Sequence, residues 1–144
     1  MANTITAANS VLTLSVANLY PIPQTIQGYA ADDAFSTDSV VRAETQRGVD
    51  GRQSSGYVFN SSTFTINIMP DSPSLVIFET LDNAQKAARE VFICSGQVQL
   101  PSIGRKYTLV NGVLSTSTPI TNVRRVLQSV QYVFTFEDII GEPI

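Results

Sequence analysis

Val126-Leu127-Gln128-Ser129-Val130-Gln131-Tyr132-Val133-Phe134-Thr135-Phe136-Glu137 decides the fold class of this chain. Its even positions, Val126, Gln128, Val130, Tyr132, Phe134 and Phe136, fall on one side of an extended strand, because successive side chains alternate across a pleated backbone. The odd positions mix Leu127 and Val133 with polar residues. A strand of this length with two usable faces belongs inside a sheet. The same alternation recurs in Thr63–Met69, with Phe64, Ile66 and Ile68 on one face and Thr63, Thr65 and Asn67 on the other. It recurs again where Leu12, Leu14 and Val16 alternate with Thr13 and Ser15.

Turn chemistry joins these strands. Asn111-Gly112 predicts a two-residue hairpin, since both residues tolerate the positive φ of a type I′ turn. Folding there sets Val110 against Val113, Leu109 against Leu114 and Tyr107 against Thr116, with Tyr107, Leu109 and Leu114 on a common face. Asp50-Gly51 offers a second turn of this kind, between Val40–Thr45 and Tyr57–Phe59. Its flanks, Gln46–Val49 and Arg52–Gly56, are polar and glycine-rich, so the hairpin is expected to end in a long, mobile finger.

One segment has helical rather than strand periodicity. Ser72 is a suitable N-cap and Pro73 a suitable first helical residue. Ile77, Leu81, Ala84, Ala88 and Val91 then form an apolar stripe, opposite Glu79, Asp82, Lys86 and Arg89. Asp82 and Lys86 stand four apart, a pairing worth ~0.3 kcal/mol. The helix is expected to end near Glu90–Val91, before a β-rich Phe92–Leu100. Strands with one inserted helix predict an α+β, mainly β fold: a β-sandwich or barrel with one flanking amphipathic helix and a long hairpin loop, in a single domain over residues 1–144.

Composition narrows the function. The 144 residues contain no histidine, which removes the commonest general base and most transition-metal sites. A single cysteine, Cys94, has no partner for a disulfide and no histidine to activate it, and reads as structural. Asp32-Asp33 and Glu137-Asp138 are adjacent pairs, which a strand sends to opposite faces and not into a catalytic dyad. Asp32, Asp33 and Asp38 lack the spacing of a calcium loop, and Gly104-Arg105-Lys106 lacks most of a phosphate loop. Arg124-Arg125 reads as a solvated doublet. No catalytic residue, cofactor or metal is expected, and the chain is read as non-enzymatic.

Nine basic and twelve acidic residues give a net charge of −3, with charged residues only 15% of the total. That is no electrostatic grip for nucleic acid. So low a charge fits either burial against other subunits or an exposed surface rich in Thr, Ser and Asn. Met1-Ala2-Asn3-Thr4 begins no secretory signal, and no apolar run reaches the ~20 residues of a membrane helix. The reading is a soluble protein made in the cytoplasm. Ile139, Ile140 and Ile144 at the C-terminus either finish the fold or dock on a neighbour.

Several stretches resemble the tail tube proteins of contractile-tailed bacteriophages, of the simple one-domain kind. They are Gly28-Tyr29-Ala30-Ala31-Asp32-Asp33-Ala34-Phe35, Ala43-Glu44 leading to Gly48-Val49-Asp50-Gly51, and Asp71-Ser72-Pro73-Ser74 with Phe78 and Gln85 beyond it. Lys106–Leu114, Val126-Leu127-Gln128 and Tyr132–Glu137 complete the set, so the resemblance spans most of the chain. It implies hexameric rings stacked into a hollow tube that passes DNA, in a virion tail assembled in the bacterial cytoplasm. It also implies tail sheath, baseplate and tape-measure protein as partners besides the chain itself, with no membrane. Under that resemblance Arg47, Gly48, Val49, Asp50, Gly51 and Arg52 are the candidate subunit or ring contacts. A polar, mildly acidic sheet face is expected along the lumen. The rivals are a tube protein of a tailocin or type VI secretion machine, and a carbohydrate-binding or head decoration β-sandwich. Sugar platforms display aromatic rings, whereas most Tyr and Phe here fall on expected core faces.

Overall fold

Sustained alternation becomes strand. The computed structural model describes residues 10–17, 19–27, 35–101 and 103–144. Among these, the elements are β1 (Val11–Val16), β2 (Tyr20–Ile26), β3 (Phe35–Thr37), β4 (Ala43–Arg47), β5 (Gln53–Tyr57), β6 (Ser62–Ile68), α1 (Leu75–Ala88), β7 (Cys94–Leu100), β8 (Arg105–Ser117) and β9 (Val130–Pro143). All strands but β4 and β5 join one antiparallel sheet in the order β2-β1-β7-β8-β9-β6-β3. The sheet curls. Tyr20 and Ile26 from one edge strand and Phe35 from the other pack on the same core as the central strands. This is the expected mainly β, α+β fold, with one flanking helix and a separate β4–β5 hairpin.

Leu12, Leu14 and Val16 of β1, Phe64, Ile66 and Ile68 of β6, and Val130, Tyr132, Phe134 and Phe136 of β9 are all buried, as their alternation requires. Phe78 brings the helix onto this face. Its ring stacks on Tyr132 at 4.9 Å and meets Phe134 edge-on at 6.0 Å. Phe134 stacks on Phe136, Phe136 meets Phe64 edge-on, and Phe64 stacks on Phe35.

β9 departs from its expected bounds at both ends. Val126 and Gln128 lie outside it and are exposed. The Gln128 N–H donates to the Asn122 carbonyl at 3.1 Å, and the Thr121 hydroxyl donates to the Gln128 carbonyl. A local clasp thus takes the backbone groups that a ladder would have used. At the other end β9 continues to Pro143, so Ile139 packs against the core while Ile140 and Ile144 are exposed.

Asn111-Gly112 is not a hairpin. It sits within β8, which pairs with β9 from Arg105↔Pro143 to Ser117↔Tyr132. Asn111 does adopt positive φ, 50°, but Gly112 does not. The kink is a bulge: Leu109 and Gly112 oppose Gly96 and Cys94, so three steps of β8 face two of β7. The added residue changes the phase of alternation, and Leu109 and Leu114 both reach the core despite lying five apart. Their common face was anticipated; the means was not. Gly112 is glycine for lack of room, because a Cβ there would lie 2.2 Å from Phe136 Cδ1.

The helix begins later than Ser72. Its N-cap is Ser74, whose hydroxyl instead accepts the Gln27 N–H at 2.8 Å. Ser72 donates to the Gln27 carbonyl at 2.5 Å and accepts the Ser74 N–H at 3.1 Å. Two buried serines therefore moor the end of β2 to the helix entry. The helix ends at Ala88 with Arg89 in the left-handed region, φ 55°. Ile77 and Leu81 are buried as expected, together with Phe78, whereas Ala88 and Val91 are exposed. The chain turns off after Ala88, which leaves both in solvent. Asp82 and Lys86 pair at 3.6 Å.

Gly112→Ala is expected to cost about 1–3 kcal/mol, the usual range for forcing extra volume into a packed site. Urea denaturation checks this. Asn111→Gly, which keeps the left-handed residue, should change stability by less than about 1 kcal/mol.

Candidate assembly surfaces

The β4–β5 hairpin stands apart from the large sheet. Ala43↔Tyr57 through Arg47↔Gln53 form a regular ladder, yet every residue of both strands is exposed. The tip closes by Gly48 N–H to the Arg52 carbonyl at 2.8 Å and Gly51 N–H to the Gly48 carbonyl at 3.0 Å. Asp50 Oδ1 accepts the Arg52 N–H at 3.1 Å. Only Gly51 of the tip has positive φ, 85°, so the turn is a three-residue loop with a left-handed closing residue and not the two-residue type I′ form. The structure gathers all six residues proposed from sequence, Arg47 to Arg52, at this tip, with Val49 fully exposed. The finger has no apolar core of its own, and a lone two-stranded hairpin is marginal in water.

Sequence reasoning missed the aromatic pair at the finger's base. Tyr57 and Phe59 are 63% and 91% exposed and meet edge-on at 5.0 Å. Most of the described Tyr and Phe rings do lie on or against the core, as expected, and these two are the exceptions. The signal was available: both follow a polar run without alternation, so no buried face awaited them. Their planes cross at 75°, which gives no flat platform for a sugar ring. Beside them, Arg42 approaches Asp138 at 3.9 Å, and the Arg42 carbonyl accepts the Val58 N–H.

The second surface is the outer face of the large sheet. Thr13 opposes Gln97, which opposes Thr108; Ser15 opposes Ser95; Thr63 opposes Thr135, which opposes Val113. Hydroxyls and amides of this face bond to one another and to neighbouring strands. Ser15 and Ser95 hydroxyls lie 2.9 Å apart, Thr135 donates to Ser115 Oγ at 3.1 Å, and Gln99 donates to Gln97 Oε1 at 3.3 Å. Charge enters at one end, where Lys106 pairs with Glu142 at 3.6 Å and Glu137 and Asp138 stand nearby. The face is polar, as expected, and among these charged residues three carboxylates outnumber one lysine.

The groups weighed for chemistry stand apart. Cys94 is fully buried, and burial pushes its thiol up to about 11. Glu137 accepts from Asn111 Nδ2 at 2.6 Å, while Asp138 accepts the Ile139 N–H at 2.9 Å, so the adjacent carboxylates serve different partners. Asp32 and Asp33 lie outside the described residues, as does most of the Gly28–Phe35 stretch. Among the described residues no three His, Cys, Asp or Glu side chains gather as a metal site. No helix there is long and apolar enough to cross a membrane.

Comparison with known proteins gives this fold its context. The chain superposes on a chain of the anti-feeding prophage baseplate with a TM-score of 0.64, at 12% identity, over 99% of this chain and 98% of that one. A chain from the cap that terminates the anti-feeding prophage tube gives 0.58 at 11% identity, over 100% and 94%. A chain from the sheath–tube complex of an extracellular contractile injection system in its extended state gives 0.53 at 12%, over 98% and 93%. At such identities the likeness is one of fold. No curated protein sequence matches. The class is that of phage-type tail proteins. Residues 3–140 match the family described as tail fiber protein gp32, and the chain belongs to that family.

With its thiol raised to about 11, Cys94 carries almost no thiolate at pH 8. Native protein should leave a disulfide reagent at pH 8 unconsumed, and unfolding in guanidinium should release one reactive thiol per chain.

Proposed function

We propose that this chain is a structural subunit of a tail tube, building stacked rings, six copies to a ring, around a channel that passes DNA. The observation that carries this reading is the β4–β5 finger, a coreless hairpin that gains buried neighbours only from another molecule. The fold likeness to chains from baseplate, cap and sheath–tube assemblies over nearly their full lengths supports it. The partners would be copies of itself, a sheath outside, and baseplate and tape-measure proteins at the end. The particle would be a virion tail assembled in the bacterial cytoplasm, or a phage-derived injection machine built on the same tube. The role is mechanical rather than catalytic.

A sheet face mostly of hydroxyls and amides, with few basic groups, suits a lumen wall. Each Lys or Arg contact with a phosphate adds salt-dependent affinity, so a wall of hydroxyls and amides that already bond to one another lets DNA slide. Gln97→Lys with Thr108→Lys should give the protein a salt-dependent retention of DNA that the wild type lacks, as read by filter binding.

The family's description favours a second reading, a fibre subunit. Negative-stain electron microscopy at rising concentration separates the two. Hollow tubes or rings are expected, and thin solid fibres would establish the second reading instead. Deleting Gly48–Ser54 should leave a folded monomer that no longer polymerises; tubes unaffected by the deletion would refute the role given to the finger.

A further inference from the structure

The two longest strands end in unlike surfaces. Beyond Ser117↔Tyr132, β8 and β9 are joined by a loop that exposes Ile120, Val123 and Val126 by 71%, 71% and 68%, with Leu127 nearly half exposed. This is not slack chain. Gln128 accepts from Thr121, donates from its N–H to Asn122, and donates from Nε2 to the Val126 carbonyl at 2.8 Å. The clasp holds Val123–Leu127 as a knuckle with its apolar side chains outward, and no secondary structure requires them there. Arg124 and Arg125 are the charged residues of this loop, and neither makes an ion pair among the described residues.

In the opposite half of the strand pair, over Tyr107↔Gly141 and Leu109↔Ile139, the curled sheet opens into a cavity of about 520 Å³. Leu100, Tyr107 and Ile139 are among its apolar walls, and Thr37 and Asp38 stand at its rim. A second hollow of about 340 Å³ adjoins it through Arg42 and carries Glu137 and Asp138 beside the exposed Phe59. The chain's own finger rises from this same rim, and its tip stands five ladder pairs away, ~16 Å, so it does not fill the hollow.

We infer that the Asn122–Gln128 knuckle docks into the cavity end of a second copy of this chain, stacking copies head to tail along the β8–β9 direction. Apolar side chains held outward meet an apolar hollow, and the arginine doublet meets Asp38, Glu137 and Asp138. The whole chain supports that charge match: with two of its nine basic residues in the knuckle, seven remain against twelve acidic ones, a net −5. The two surfaces differ, so the contact is heterologous and not a two-fold dimer, and it can propagate from copy to copy. A preformed knuckle also spares the ordering cost that a mobile loop would add on binding. The inference rests on the self-assembly reading above and names the stacking contact within it.

The test uses the full chain with Val126→Asp and Leu127→Asp, followed by analytical ultracentrifugation and electron microscopy. Both positions are exposed, so the melting curve should match the wild type while the self-association Kd rises about tenfold or more. In parallel, the reduced Thr37→Cys and Val126→Cys proteins are exposed to a mild oxidant each alone and as a mixture; buried Cys94 does not compete. A cross-linked heterodimer that forms only in the mixture is expected. Val126→Cys linking to itself, or a double variant that still stacks like the wild type, overturns the knuckle contact while the tube reading stands. A wild-type chain that stays monomeric and uncross-linked at millimolar concentration overturns both.

Discussion

Six aromatic rings run from the edge strand β3 to the helix: Phe35, Phe64, Phe136, Phe134, Phe78 and Tyr132, each within 6.0 Å of the next. Burial of such side chains is among the largest favourable terms available to a chain of this size, and paired rings add about 0.5–1.5 kcal/mol per contact. Much of the rest follows from giving these rings room. Gly112 lacks a side chain because Phe136 occupies the space, and β8 bulges at Asn111 so that Leu109 and Leu114 can both reach the core. The helix is seated by Ile77, Phe78 and Leu81 in its first half, and the mooring of Gln27 by Ser72 and Ser74 fixes its entry. Tyr132 shows how dry this region is: burial, with Glu79 and Asp82 adding to it, pushes its phenol up to about 12.

A core that takes the aromatic residues inward leaves the outer sheet face to Thr, Ser, Gln and Asn. On a strand these residues satisfy each other across neighbouring strands without recruiting charge. The low charge of the whole protein thus has a structural address. The opposite treatment falls to the β4–β5 hairpin, which shares nothing with the core and whose backbone ladder is its main internal support. Stability is therefore expected to be uneven, with the finger opening at lower cost than the sheet and helix.

The molecule also has direction. One end of the β8–β9 pair carries a clasped apolar knuckle with two arginines; the other carries hollows, carboxylates and the finger's aromatic base. Unlike ends are what a propagating assembly needs, whereas a closed two-fold dimer needs one self-complementary patch.

Alternation and helical spacing were enough to place β1, β6, the core of β9 and α1, and the Asp50-Gly51 turn signal to place the tip of the finger, though its strands, Ala43–Arg47 and Gln53–Tyr57, lie closer to that tip than the flanking Val40–Thr45 and Tyr57–Phe59 suggested; each is a local signal that survives without knowledge of distant partners. The tertiary structure decided the rest. Asn111 can turn a chain back or shift a strand's phase, and the choice belongs to β7 and β9, which hold β8 along its length through residues as distant as Cys94 and Phe136. Val126 and Gln128 keep the period of β9, yet a contact from Thr121 and Asn122 removes them from it. Ser72 has the chemistry of an N-cap and spends it on Gln27, forty-five residues away in sequence. Tyr57 and Phe59 look like core residues until the curled sheet closes without them. In each case the local sequence admits two conformations of similar cost, and a non-local hydrogen bond or a packed ring selects between them.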